Sequence, residues 1–219
     1  MTQTGSNALV TRFVAALIIV AGPALCAQGP PPRIGPIALD LHGTVPRFPE
    51  DAALASSRGI ALGELPGAGF GVQVAAHLYF FRWRAVTFGI GGEAVAARAK
   101  HTPPSGVTGV RPVTERFRTL GSQLSLNFGS GNGWSYLSGG VGSSNWSVIP
   151  GDRTALLADE EALKTINYGG GARWFFRSHL AFSFDVRFYA LNPGSPSEGF
   201  PQSPRTTFMA IGAGISLKP

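Results

Sequence analysis

The chain has 219 residues, enough for about one domain beyond any leader segment, and only 14% of them are charged, against roughly 25% in ordinary soluble domains. At 44% hydrophobic it is too apolar for a disordered chain, and its 30 glycines lack the every-third-residue spacing of collagen. The net charge of +6 would suit an anionic partner, and the only cysteine, Cys26, falls in the expected leader, which excludes an internal disulfide or a thiolate metal site from the mature chain.

In chain order, Arg12 precedes the apolar run from Phe13 to Ala21, which Gly22 and Pro23 break before the small residues Ala24 and Ala27. This is the pattern of a secretory signal peptide over 1–27, and the run is too short for a membrane-spanning helix, which needs about 20 apolar residues. Residues 28–35, with Pro30, Pro31 and Pro32, read as an extended periplasmic linker. From Pro36 to the end at 219 the period is two, and no segment reaches the about 18 apolar residues of a transmembrane helix.

The alternation predicts eight strands, at about Pro36–Val45, Ala68–Phe81, Ala85–Lys100, Thr114–Phe128, Trp134–Val148, Lys164–Phe176, His179–Leu191 and Arg205–Leu217. The seventh has the strongest signal, with Leu180, Phe182, Phe184, Val186 and Phe188 against Ser183, Asp185, Arg187 and Tyr189. The fifth has none that is consistent, because Tyr136 and Val141 fall on opposite parities. Short turns after the second, fourth and sixth strands alternate with longer polar connections after the first, third, fifth and seventh. Sorting connections by length in this way fits a closed antiparallel up-and-down barrel with both termini on the side of the short turns.

The less apolar strand faces carry Asp40, His42, His77, Glu93, Arg173, Asp185 and Arg187. A dry core could not bury these groups unpaired, whereas a polar lumen can pair them, so the apolar face should point outward to lipid. Aromatics near strand ends (Phe80, Phe81, Trp83, Trp134, Tyr136, Trp146, Trp174, Phe176 and Phe188) are candidates for the two interfacial girdles. Continuing the outward parity of the third and fourth strands brings Arg98, Lys100, Arg116 and Arg118 to one rim, a candidate patch for lipid headgroups.

These features resemble the small eight-stranded outer-membrane β-barrels of the OmpA-transmembrane, OmpX and OmpW type, the outer membrane protein β-barrel domains. The resemblance covers about Pro36 to Leu217 and rests on architecture. It implies an all-β transmembrane barrel in the outer membrane, inserted by the barrel-assembly machinery and working as a monomer with no cofactor. Lipopolysaccharide is the anionic partner it suggests. The chain closes on Ile215-Ser216-Leu217-Lys218-Pro219, where such barrels usually end in an aromatic residue.

No catalytic residue is assigned. Among His42, His77, His101 and His179, none has a serine two residues on, the spacing of outer-membrane lipid A deacylases, and serine is otherwise scattered. Gly89-Ile90-Gly91-Gly92 and Gly169-Gly170-Gly171 lie within strands with no helix following, which argues against nucleotide binding. No Cys or His cluster has metal spacing, and export with membrane burial removes nucleic acid as a partner. Glu50 to Ser57 and the run Asp159, Glu160, Glu161 read as surface turns or a helical turn within solvated outer loops. The leading expectation is a structural, surface-interaction or lipid-interaction role without a large pore. Its alternatives are a small lipid-modifying hydrolase and a secreted lipocalin-like barrel.

Overall fold

The computed structural model describes residues 35–103, 109–130, 132–151, 161–196 and 201–219. The expected signal peptide, nearly all of the linker, and Asp159 and Glu160 lie outside the described residues. Eight strands follow one another as β1 (Ile37–Arg47), β2 (Phe70–Trp83), β3 (Val86–His101), β4 (Val113–Ser130), β5 (Gly133–Pro150), β6 (Leu163–Arg177), β7 (Leu180–Leu191) and β8 (Thr206–Leu217). Each pairs antiparallel with its neighbours in sequence, and β8 closes on β1 with Asp40 opposite Ser216 and Arg47 opposite Met209. Among the described residues no helix is long and apolar enough to cross a membrane.

The period of two becomes an inside and an outside. Leu39, Leu41, Val72, Val74, Ile90, Leu120, Leu124, Ile166, Phe182 and Ile215 are exposed, while the residues between them are buried. A protein that exposes its large aliphatic side chains and buries its ionisable ones is built for a lipid solvent. Closure leaves no sheet edge, so every strand meets the rule that backbone polar groups be paired within the bilayer.

The fifth strand explains its own conflicting signal. Even-numbered residues point inward on β5, so Trp134, Tyr136 and Trp146 are buried and Val141 is exposed. These three aromatics are therefore not girdle residues. Tyr136 is inside because its hydroxyl has a buried acceptor, donating to Asp185 Oδ2 at 2.5 Å. Phe80, Phe81, Trp83, Trp174 and Phe176 remain exposed, all at the end of the short turns. Phe188 stacks outside on Tyr168, at a ring-centroid distance of 5.3 Å.

Two glycines of the 89–92 and 169–171 runs lie tight against a neighbouring strand and also leave room for a lumenal ring. A Cβ on Gly171 would meet the Tyr136 ring at 2.9 Å, and one on Gly91 would meet the His77 ring at 2.6 Å.

Candidate functional site

The lumen is divided in two. Its half near the short turns is polar, and all seven ionisable residues picked out from the sequence lie there, buried. Arg173 spans from β6 to β1, donating from Nε and Nη2 to the two oxygens of Asp40 at 2.8 and 2.6 Å, and Ser216 also donates to Asp40. The Tyr136 ring lies under the same guanidinium, 4.0 Å from Cζ to centroid. Arg187 Nε lies 3.0 Å from Asp185 Oδ1 and 3.4 Å from Glu93 Oε2, and its Nη2 donates to Ser138 Oγ at 2.7 Å. Gln73 Nε2 donates to Glu93 at 3.2 Å, while His77, Gln123 and Asn167 form a chain with links of 3.0 and 2.8 Å.

The partners differ from those that strand adjacency suggests. Arg173 and Asp185 sit on paired strands, but Arg173 is in register with Ser183, and it reaches across the lumen to Asp40 instead. Gln73, Gln123, Tyr136, Ser138, Asn167, Ser183 and Ser216 complete the network. Gln73 and Gln123 could have been found from their inward parity. Tyr136 and Ser138 were hidden by the unresolved phase of β5.

The other half of the lumen is apolar. Val95, Ala97, Val113, Phe117, Trp146, Val148, Leu191 and Phe208 line it, with Phe117 edge-on to Phe208 at 4.7 Å between centroids. Into it the first long connection inserts helix α1 (Ala52–Ser57), so this segment is not the solvated loop its composition suggests. Asp51 Oδ1 caps the helix by accepting from Leu54 N at 3.0 Å, and Leu54 is 0% exposed. A latch to the second long connection follows. Glu64 accepts from Arg111 N and from Ala61 N, each at 2.7 Å, and Arg111 Nη2 donates to Gly59 O at 2.7 Å. The hydrogen bonds from the Arg111 and Ala61 backbone N–H groups hold the Glu64 carboxyl below the usual carboxylate range. Deeper in this half, Glu115 is buried beside Trp146 with neither carboxyl oxygen in a well-formed hydrogen bond.

Arg98, Lys100, Arg116 and Arg118 are exposed on the outward face. Arg98 stands opposite Arg116, Lys100 opposite Thr114 and Ala96 opposite Arg118, so the four cations form one cluster across β3 and β4. Below them the outward-facing runs Val86 to Ala96 and Leu120 to Phe128 each match the about 9 to 11 residues a tilted strand needs to cross the hydrocarbon. The cluster therefore begins about one such span away from the short turns. On β5, Ser147 and Asn145 lie opposite Arg116 and Arg118 and continue the polar surface sideways.

One serine–histidine pair occurs that sequence spacing could not reveal: His42 Nε2 lies 2.7 Å from Ser183 Oγ, over Gly214 of the intervening β8. Both residues are buried, and among the described residues no carboxylate is within hydrogen-bond distance of the His42 ring. Among the described residues no group of three or more His, Cys, Asp or Glu could hold a metal ion.

A closed eight-stranded antiparallel barrel with an apolar exterior and an ion-paired interior is the fold of the small outer-membrane β-barrels, and the apolar exterior suits a place in the outer membrane. The barrel is similar to Neisserial surface protein A, with 13% identity, a TM-score of 0.50, and 84% of this chain and 95% of that one covered. It is equally similar to Ail, the attachment invasion locus protein of Yersinia pestis, with 13% identity, a TM-score of 0.50, and 84% and 99% covered. At these identities the likeness concerns the fold. No protein-family model matches the chain, and no curated protein matches its sequence.

The ion network occupies the polar half and α1 joins the apolar cluster of the other, and eight strands leave an interior only about wide enough for side chains. Planar-bilayer recordings of reconstituted protein are expected to show no stable conductance. Reproducible open-state steps of porin size would contradict this.

Proposed function

We propose that the protein is a monomeric surface component of the outer membrane, inserted by the barrel-assembly machinery, that binds outer-leaflet lipid through its outward face and performs no catalysis. The cluster of Arg98, Lys100, Arg116 and Arg118 directly above the apolar belt carries this reading. Basic side chains in mid-bilayer would cost about 2 to 4 kcal/mol each, falling to about 0 to 1 near the interface, so their height on the strands suits the headgroup layer. Arginine can grip a phosphate through paired hydrogen bonds, and two arginines opposite one another suit the phosphates of lipopolysaccharide. The lumen ion network serves stability on this reading, and neither the diffusion of solutes nor a hydrolase mechanism is part of it.

The test replaces Arg98, Lys100, Arg116 and Arg118 together by Gln and measures the lipopolysaccharide that co-purifies at matched salt and detergent. The retained amount is expected to fall several-fold. If the variant retains as much as the parent, the four residues only mark the membrane boundary and the reading is wrong.

A further inference from the structure

We propose that the connection between β1 and β2 is a proton-dependent lid, seated in the mouth of the barrel while Glu115 is protonated and released when Glu115 ionises. Glu115 lies on β4 beyond the outward run from Leu120 to Phe128 that matches a bilayer span, and it is 0% exposed. Val113 and Phe117, its neighbours on the inward face, and Ala99 and Val148, the residues opposite it on β3 and β5, all belong to one apolar cluster. Leu54, Ala55 and Ile60 of the connection complete that cluster. The acid is enclosed partly by the barrel wall and partly by the loop.

Among the described residues no cation answers it. Arg98, Lys100 and Arg116, on its own strand and the next, project outward. His101 acts on Glu64, which is paired with Arg111, and Tyr189, the titratable member of the cluster, acts on Glu93. Arg58 turns to the end of its own helix, donating from Nη1 to Ser57 O at 3.3 Å. Two groups do act on Glu115: the Trp146 indole from β5 and, from the loop itself, the Glu50 carboxylate, whose charge has the same sign. Neither Glu115 oxygen has a well-formed hydrogen bond.

An ionised carboxylate so enclosed, with a second carboxylate facing it, needs water. The strands cannot part to admit it, because their ladders hold them, whereas the loop is held by side-chain packing and the Glu64 latch. Protonation and docking are therefore linked. The docked state holds the proton more tightly, so docking weakens as pH rises, by up to tenfold for each pH unit over which that one proton is released.

Spin labels at Ala53, exposed on α1, and at Leu124, exposed on β4, read the lid as a distance. After Cys26→Ser, with Ala53→Cys and Leu124→Cys, the protein in bilayers is brought from about pH 5 to about pH 9, the range from an ordinary to a fully buried carboxyl. One narrow distance is expected in acid, with a broad population growing as pH rises. Leu54→Asp should give the broad population throughout. Glu115→Gln, which cannot ionise, should stay narrow at every pH, and His101→Gln should titrate as the parent does, which separates Glu115 from the latch. A distribution in the parent that does not change with pH, opening on acidification, a Glu115→Gln variant that titrates like the parent, or loss of the response in His101→Gln would overturn the proposal.

Discussion

Arg173→Met and Asp40→Asn are each expected to destabilise the folded barrel by about 3 to 5 kcal/mol, the cost of leaving one member of a buried ion pair without its partner. Among the described residues Asp40 is the only carboxylate that bonds Arg173, and it does so through both oxygens. With Asp40 neutralised, the guanidinium keeps the Tyr136 ring for company but no counter-charge, and Nη1 is already without a hydrogen bond. The double variant Asp40→Leu with Arg173→Leu should recover much of the loss, because no charge then remains to be satisfied. The thermal midpoint of the heat-modifiable, folded species in detergent reads both effects. Midpoints of both single variants equal to the parent's would mean that water reaches this part of the lumen.

The second large effect concerns the loop that fills the mouth. Leu54→Asp places a charge in the apolar cluster to which Phe117, Trp146, Leu191 and Phe208 also belong, and Leu54→Ala alone removes burial of a kind worth about 2 to 5 kcal/mol. Either change should shift α1 out of the barrel on the order of thirtyfold or more, while the strands, joined by their own ladders, stay closed. Arg58, one residue beyond α1, is 3% exposed in the docked loop. Trypsin should therefore cut at Arg58 in the variants and spare it in the parent, with the heat-modifiable band surviving in all. Resistance at Arg58 in Leu54→Asp would show that the loop is held by something other than its apolar seat. Because the ion-paired half remains filled, undocking the loop is expected to raise no conductance.

Both effects turn on contacts that lie beyond local pattern. Strand positions, the order of short and long connections, and the inward side of Asp40, His77, Glu93 and Arg187 follow from alternation, since a period of two is a property of each strand alone. Partner choice is different: Arg173 and Asp40 are separated by most of the chain, and they meet only because β8 closes on β1 and brings the far wall within reach. The phase of β5 was illegible for a chemical reason. Trp134, Tyr136 and Trp146 look like lipid-facing aromatics until their polar atoms and neighbours inside the barrel are known, and the small residues between them offer no vote. The fate of Ala52–Ser57 was hidden too, because six Ala, Leu and Ser residues with a capping Asp describe a helical turn but not the apolar cup it enters.

Which strand face meets lipid decides whether this barrel spans a membrane. After Cys26→Ser, single spin-labelled cysteines at Val74, Leu124 and Ile166, set against cysteines at the polar loop residues Glu50 and Asn192, can be compared in bilayers for collision with oxygen and with a water-soluble nickel chelate. Val74, Leu124 and Ile166 project from β2, β4 and β6 on the exposed apolar face. Oxygen is expected to dominate at these three positions and the nickel chelate at the two loop positions. Nickel access at Val74, Leu124 and Ile166 equal to that of the loops would put this face in water and contradict the membrane barrel.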